Sequence, residues 1–202
     1  MNWLVAAIGL WAVMGLELGL RDGLALGPTG AAPTFALIYL VFLALSAPRR
    51  AALWAGLAVG LALDASRALP SADGMRVVAA IGPLTLGGAL AAYTTVQIRG
   101  VLNQRNPLTG PLVVAVAVFL AHLVAVATLE MRSWYDAALT VDAVADLGRA
   151  GLTAVYSALA SLVLGVLARP ILPMIAAVHQ FDPTPSAWRW VPFGRRGYGP
   201  AR

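Results

Sequence analysis

The chain has 202 residues, 60% of them hydrophobic and only 11% charged, with a formal net charge of +5 and no cysteine. Soluble domains carry about 25% charged residues, so this composition, with a mean hydropathy of +0.80, excludes an ordinary soluble fold and implies an integral membrane protein. The lack of cysteine excludes disulfides, thiolate catalysis and Cys-ligated metal, and the length leaves room for one compact helical domain.

A membrane span takes about 20 mostly apolar residues. Residues 3–20 give the first, with Gly15 and Gly19 four apart and Glu17 near the far end. It lacks a basic leader and a small-residue cleavage site, and so reads as a retained helix rather than a signal peptide. The connector 21–32 is rich in turn formers. The second span is predicted over 32–47, closed by Pro48-Arg49-Arg50, and the third over 50–69. A turn at 70–74 leads to a fourth span over 76–98, expected to bend at Pro83. The fifth covers 108–129, where Pro111 falls in the first turn. Residues 130–148 hold Glu130, Asp136, Asp142 and Asp146, and their apolar residues suit a short helix lying on the membrane. The sixth span is predicted over 149–169.

The expected architecture is therefore an all-α polytopic membrane protein, six transmembrane helices in one bundle over residues 1–178. A cytoplasmic tail follows over 179–202. In that tail Trp188, Trp190 and Phe193 alternate with Arg189, Arg195 and Arg196, which suits the headgroup layer of a bilayer. A loose, disordered end is the plainer alternative.

All fourteen basic residues are arginine. In a soluble protein this balance would suggest nucleic acid, but here the arginines border the apolar runs, where topology accounts for them. With the N-terminus inside, the inner side receives nine (Arg49, Arg50, Arg99, Arg105, Arg169, Arg189, Arg195, Arg196, Arg202) and the outer side five (Arg21, Arg67, Arg76, Arg132, Arg149). Both termini are therefore expected in the cytoplasm.

The most informative stretch lies in the third span, where Gly56, Gly60 and Asp64 recur every fourth residue and stack on one side of the helix. Two glycines so placed make a groove for another helix, the chain's own or a partner's. A charge is costly in lipid, so Asp64 should face protein or water. It either ends the helix at the headgroups beside Arg67 or serves as a functional carboxylate. In the expected topology Glu17, Asp64 and His122 lie at one level, roughly 20 Å into the slab. They are expected to converge on an outer-side polar pocket with Arg67, and with Thr85 and Tyr156 as neighbours; the alternative is that each is satisfied separately. The three could also form a hard-ligand metal site or a proton relay, although no spacing demands it. No zinc-protease, serine-hydrolase or phosphate-loop motif is present, and no catalytic residue or cofactor is assigned.

The run from Gly56 to Asp64, the short Pro/Gly turn to Gly74 and the next apolar span resemble the rod shape-determining protein MreD family, most specifically over residues 53–93. Arg67, Pro70 and Asp73 in the turn, and the length of 130–148 and of the tail, depart from the family's usual pattern. The resemblance implies the fold of the substrate-binding subunits of energy-coupling-factor transporters. It further implies a non-enzymatic scaffold of the cell-elongation machinery in the bacterial inner membrane. MreC would be its direct partner, with RodA, penicillin-binding protein 2 and MreB in the same complex. A substrate-binding subunit of a vitamin or small-solute transporter is the alternative, since the two share an architecture.

Overall fold

The computed structural model describes residues 3–67, 69–70, 77–78, 80–100, 108–136 and 141–167. These residues form six α-helices: α1 (Trp3–Leu20), α2 (Phe35–Ser46), α3 (Arg49–Ser66), α4 (Pro83–Ile98), α5 (Thr109–Ser133) and α6 (Ala143–Leu167). Two short antiparallel strands, β1 (Leu69–Pro70) and β2 (Val77–Val78), close the α3–α4 connection, with Leu69 opposite Val78. The tail residues Trp188, Arg189, Trp190, Arg195 and Arg196 lie outside the described residues.

Among the described residues three helices, α1, α5 and α6, are long and apolar enough to cross a membrane. The other predicted spans come out differently. α2 has 12 residues, about 18 Å, and α4 has 16, about 24 Å, against a hydrocarbon slab of about 30 Å. α3 has 18 residues but includes Arg49, Arg50 and Asp64. The fourth span shrinks because Pro83 opens its helix instead of bending it. Proline fits the first helical position, where its missing N–H has no partner to lose. Gly82 before it has φ 125°, a backbone that L side chains rarely adopt.

Of the expected surface helix within 130–148, residues 137–140 lie outside the described residues, and the helical residues among the rest belong to α5 and α6. Residues 130–133 extend α5, and 143–148 are the first turns of α6. Asp142 explains the early start: its Oδ1 accepts from the Ala145 N–H at 3.1 Å, the bond of an N-cap.

α2 is central and touches all five other helices. Leu37, Leu40, Val41, Leu43 and Ala44 are buried there, and the core continues through Val59 and Leu63 of α3 and Val113, Val114 and Val118 of α5. α1 rests mainly on α2 and leaves Trp3, Leu4, Ile8 and Trp11 exposed, a face suited to acyl chains.

The closest packing runs between α3 and α4. A Cβ at Gly56 would lie 2.7 Å from the Gly88 carbonyl oxygen, and one at Gly60 would strike the Leu84 carbonyl and lie 2.6 Å from Thr85 Cα. Gly87 likewise lets α4 meet the backbone of α5 at Ala121. The Gly56/Gly60 groove is thus filled by the chain's own α4. Of the two occupants expected for the groove, the chain's own helix is the one seen, and no space is left between the backbones for a partner's.

Gly60→Leu is expected to prevent α3 and α4 from docking, at a cost above the roughly 1–3 kcal/mol of ordinary overpacking, because backbone cannot yield as a side chain does. Gly15→Leu, with nothing within 4 Å of the added Cβ, should stay within about 0.5 kcal/mol of the parent. Size-exclusion profiles and thermal melts in detergent compare the two.

Candidate functional site

A helix leaves its first N–H groups without intrahelical partners. In water the solvent takes them; in a membrane protein something else must. α2 and α4 both begin among other helices, and neither N-cap residue supplies the bond: Thr34 makes no side-chain cap, and Gly82 has no side chain.

For α4 the acceptor comes from α3. Asp64 is 3% exposed, and its Oδ2 accepts from the Gly82 N–H (2.9 Å), the Thr85 N–H (2.9 Å) and the Thr85 hydroxyl (2.8 Å). Its Oδ1 accepts from the Leu84 N–H at 3.0 Å. Pro83 has no N–H, so one carboxylate holds every backbone donor from Gly82 to Thr85. The negative charge also sits where the helix macrodipole is positive. Asp64 does not pair with Arg67 at the headgroups; it is a cap supplied by another helix.

α2 repeats the device. Glu17 of α1, also 3% exposed, accepts from the Ala36 N–H at 3.3 Å. Ser157 of α6 accepts from the Thr34 N–H at 3.0 Å. At the other end Arg99 donates through Nη1 to the carbonyls of Ala44 (3.2 Å) and Ala47 (2.7 Å). The short central helix therefore has an acid at its start and an arginine at its finish, the arrangement its dipole favours.

Beside the two capping acids lies a cavity of about 270 Å³. Glu17, Asp64, Arg67 and His122, the four residues singled out in the sequence, all line it. Arg21, Thr34, Arg149 and Thr153 line it too. Neither Thr85 nor Tyr156, the two expected neighbours, lines it, although Thr85 bonds Asp64. Arg149 is held on one side by the Thr29 carbonyl (2.8 Å from Nε) and faces Asp146 at 3.5 Å.

His122 and Arg67 form the cavity's other pair. His122 Nδ1 lies 2.9 Å from the Val118 carbonyl, and its Nε2 lies 3.5 Å from Arg67 Nη1. A tautomer with its hydrogen on Nδ1 serves both contacts, donating to the carbonyl and accepting from the guanidinium. Arg67 Nε is buried with no partner. Among the described residues neither Arg67 nor Arg21 has a carboxylate oxygen within 4.0 Å. Nor do three His, Asp or Glu side chains there group to hold a metal ion.

Sequence reasoning missed Arg21, Arg149 and Thr153 as lining residues. Asp142 was the available signal: an aspartate before an apolar run marks a helix start, and starting α6 at Ala143 brings Asp146 and Arg149 into its first turns. Ser157 and Arg99 carried no local signal, because each caps a helix far away in the sequence. Compared with family models, curated proteins and solved structures, the chain has no significant match.

Asp64→Ala strands three amides and a hydroxyl in a buried place. The expected loss is about 3 kcal/mol or more, from the cost of removing a cap and leaving buried donors unpaired. Asp64→Asn keeps one acceptor oxygen and should lose roughly half as much. Thermal unfolding of the purified variants in detergent measures both.

Proposed function

We propose that the chain is a non-enzymatic scaffold of the bacterial cell-elongation machinery in the inner membrane, binding MreC, with RodA, penicillin-binding protein 2 and MreB in the same complex. The proposal includes six crossings with both termini in the cytoplasm. The excess of arginine on the inner side supports that topology, and the short helices α2 and α4 cross with their buried ends capped by neighbours. The resemblance to the MreD family over residues 53–93 supports the assignment.

The observation that carries it is the position of Asp64. This residue gives the resemblance most of its weight, and its two oxygens are occupied by α4. Glu17 is engaged in the same way at α2. Both oxygens of Asp64 are taken up by the first turn of α4, and Glu17 is engaged at the start of α2, so the membrane acids serve architecture rather than catalysis.

The cavity favours a second reading, a substrate-binding subunit of a vitamin or small-solute transporter. The two readings part on their partners. Affinity purification of the full chain from native membranes is expected to recover MreC, and depletion of the chain should turn rods into spheres. Rods that stay normal, with no MreC recovered, would overturn the scaffold. Recovery of an ATPase module with a bound vitamin would establish the transporter instead.

A further inference from the structure

The cavity is lined by three carboxylates and three guanidinium groups, yet their hydrogen-bonding states are unequal. Among the acids, Asp64 is bound by α4, Glu17 by α2, and Asp146 faces Arg149. Each of the first two also sits at a helix N-terminus, which offsets about half an elementary charge. Among the bases, Arg149 is held by the Thr29 carbonyl and Asp146. Arg67 and Arg21 are left.

Arg67 is the more constrained of the two. It follows α3 directly as its C-cap residue, so the backbone that places Asp64 on α4 also directs Arg67 toward the cavity. A guanidinium carries five N–H donors. Here only Nη1 has a partner among the described residues, and that contact, to His122, is long at 3.5 Å. Nε is buried and unpaired. A buried charged donor left unmade costs more than a neutral one, and among the described residues no carboxylate oxygen lies within 4.0 Å of this guanidinium. Thr34 and Thr153 add hydroxyl oxygens, while Ala32, Leu84 and Leu129 make part of the wall apolar. The volume, about 270 Å³, equals roughly nine waters at about 30 Å³ each. That is room for a small organic anion or a single headgroup.

We propose that this cavity is an oxyanion site in which Arg67, seconded by Arg21, receives a carboxylate or phosphate group between α1, α3, α5 and α6. An oxyanion presents acceptors to Nε and Nη of the planar fork in one plane, the bidentate geometry that arginine favours. His122, accepting from Nη1, keeps the fork turned into the cavity and acts as a positioning residue. The site stands apart from the scaffold role: the chain could hold an anion with or without MreC.

The test uses the full chain in nanodiscs of phosphatidylcholine, titrated at constant ionic strength with inorganic phosphate and, separately, with acetate. A further preparation carries phosphatidylglycerol, and native mass spectrometry reads the lipids it retains. The expected result is thermal stabilisation that saturates with anion concentration, weakened about tenfold or more in Arg67→Gln. Arg67→Lys should recover part of it, and Arg132→Gln, a change in a surface ion pair, should leave it intact. Saturation by soluble phosphate or acetate identifies a free anion. Phosphatidylglycerol retained by the parent and lost from Arg67→Gln identifies a headgroup. If Arg67→Gln does not fold, the parent titration and Arg21→Gln decide. No saturable anion effect and no retained anionic lipid in the parent, or the same response in the Arg21 and Arg67 variants as in the parent, would overturn the proposal.

Discussion

The bond between the Asp64 carboxylate and the first turn of α4 is the constraint from which the rest of the bundle follows. A helix that starts among other helices has donors largely withdrawn from solvent, and each left open costs about 1–3 kcal/mol. α4 has three such amides and the Thr85 hydroxyl within reach of one side chain. With that acceptor in place, a 16-residue helix can begin at Pro83 inside the protein.

Delivering that carboxylate requires α3 and α4 to approach closely. Gly60 lies one turn before Asp64 on the same side of α3, and its missing side chain lets the Leu84 carbonyl come against the helix. Gly56 continues the line against Gly88 one turn further along. Groove and carboxylate are thus one device: the glycines set the distance, and the acid closes the end. α2 solves the same problem with parts from three helices, Glu17, Ser157 and Arg99. Because both capping acids point at helix starts near one end of the bundle, the space between them is polar. There Arg67 and His122 meet.

Much of this was legible in the chain. The limits of α1 agree with the apolar run 3–20, and the four-residue spacing of Gly56, Gly60 and Asp64 locates the tightest seam. Counting residues placed Glu17, Asp64 and His122 at one level, and all three line one cavity. What stayed hidden depends on pairs distant in sequence. Nothing near Asp64 says that its partners are amides some twenty residues on, or that Arg99 closes a helix more than fifty residues before it. The centrality of α2 was equally hidden, since 12 apolar residues look the same in the middle of a bundle as at its edge. Two local signals were present and outweighed by hydropathy: Gly82-Pro83 marks a helix start rather than a bend, and Asp142 caps α6 at Ala143, six residues ahead of the predicted span.

Amide hydrogen exchange at Gly82, Leu84 and Thr85, compared between the parent and Asp64→Asn in the same detergent, tests the trans-cap most directly. Strong protection of these three amides in the parent, lost at this turn in the variant while the middle of α4 stays protected, is the predicted result. Fast exchange at the three amides in the parent, or protection unchanged when Asp64 is replaced, would contradict it.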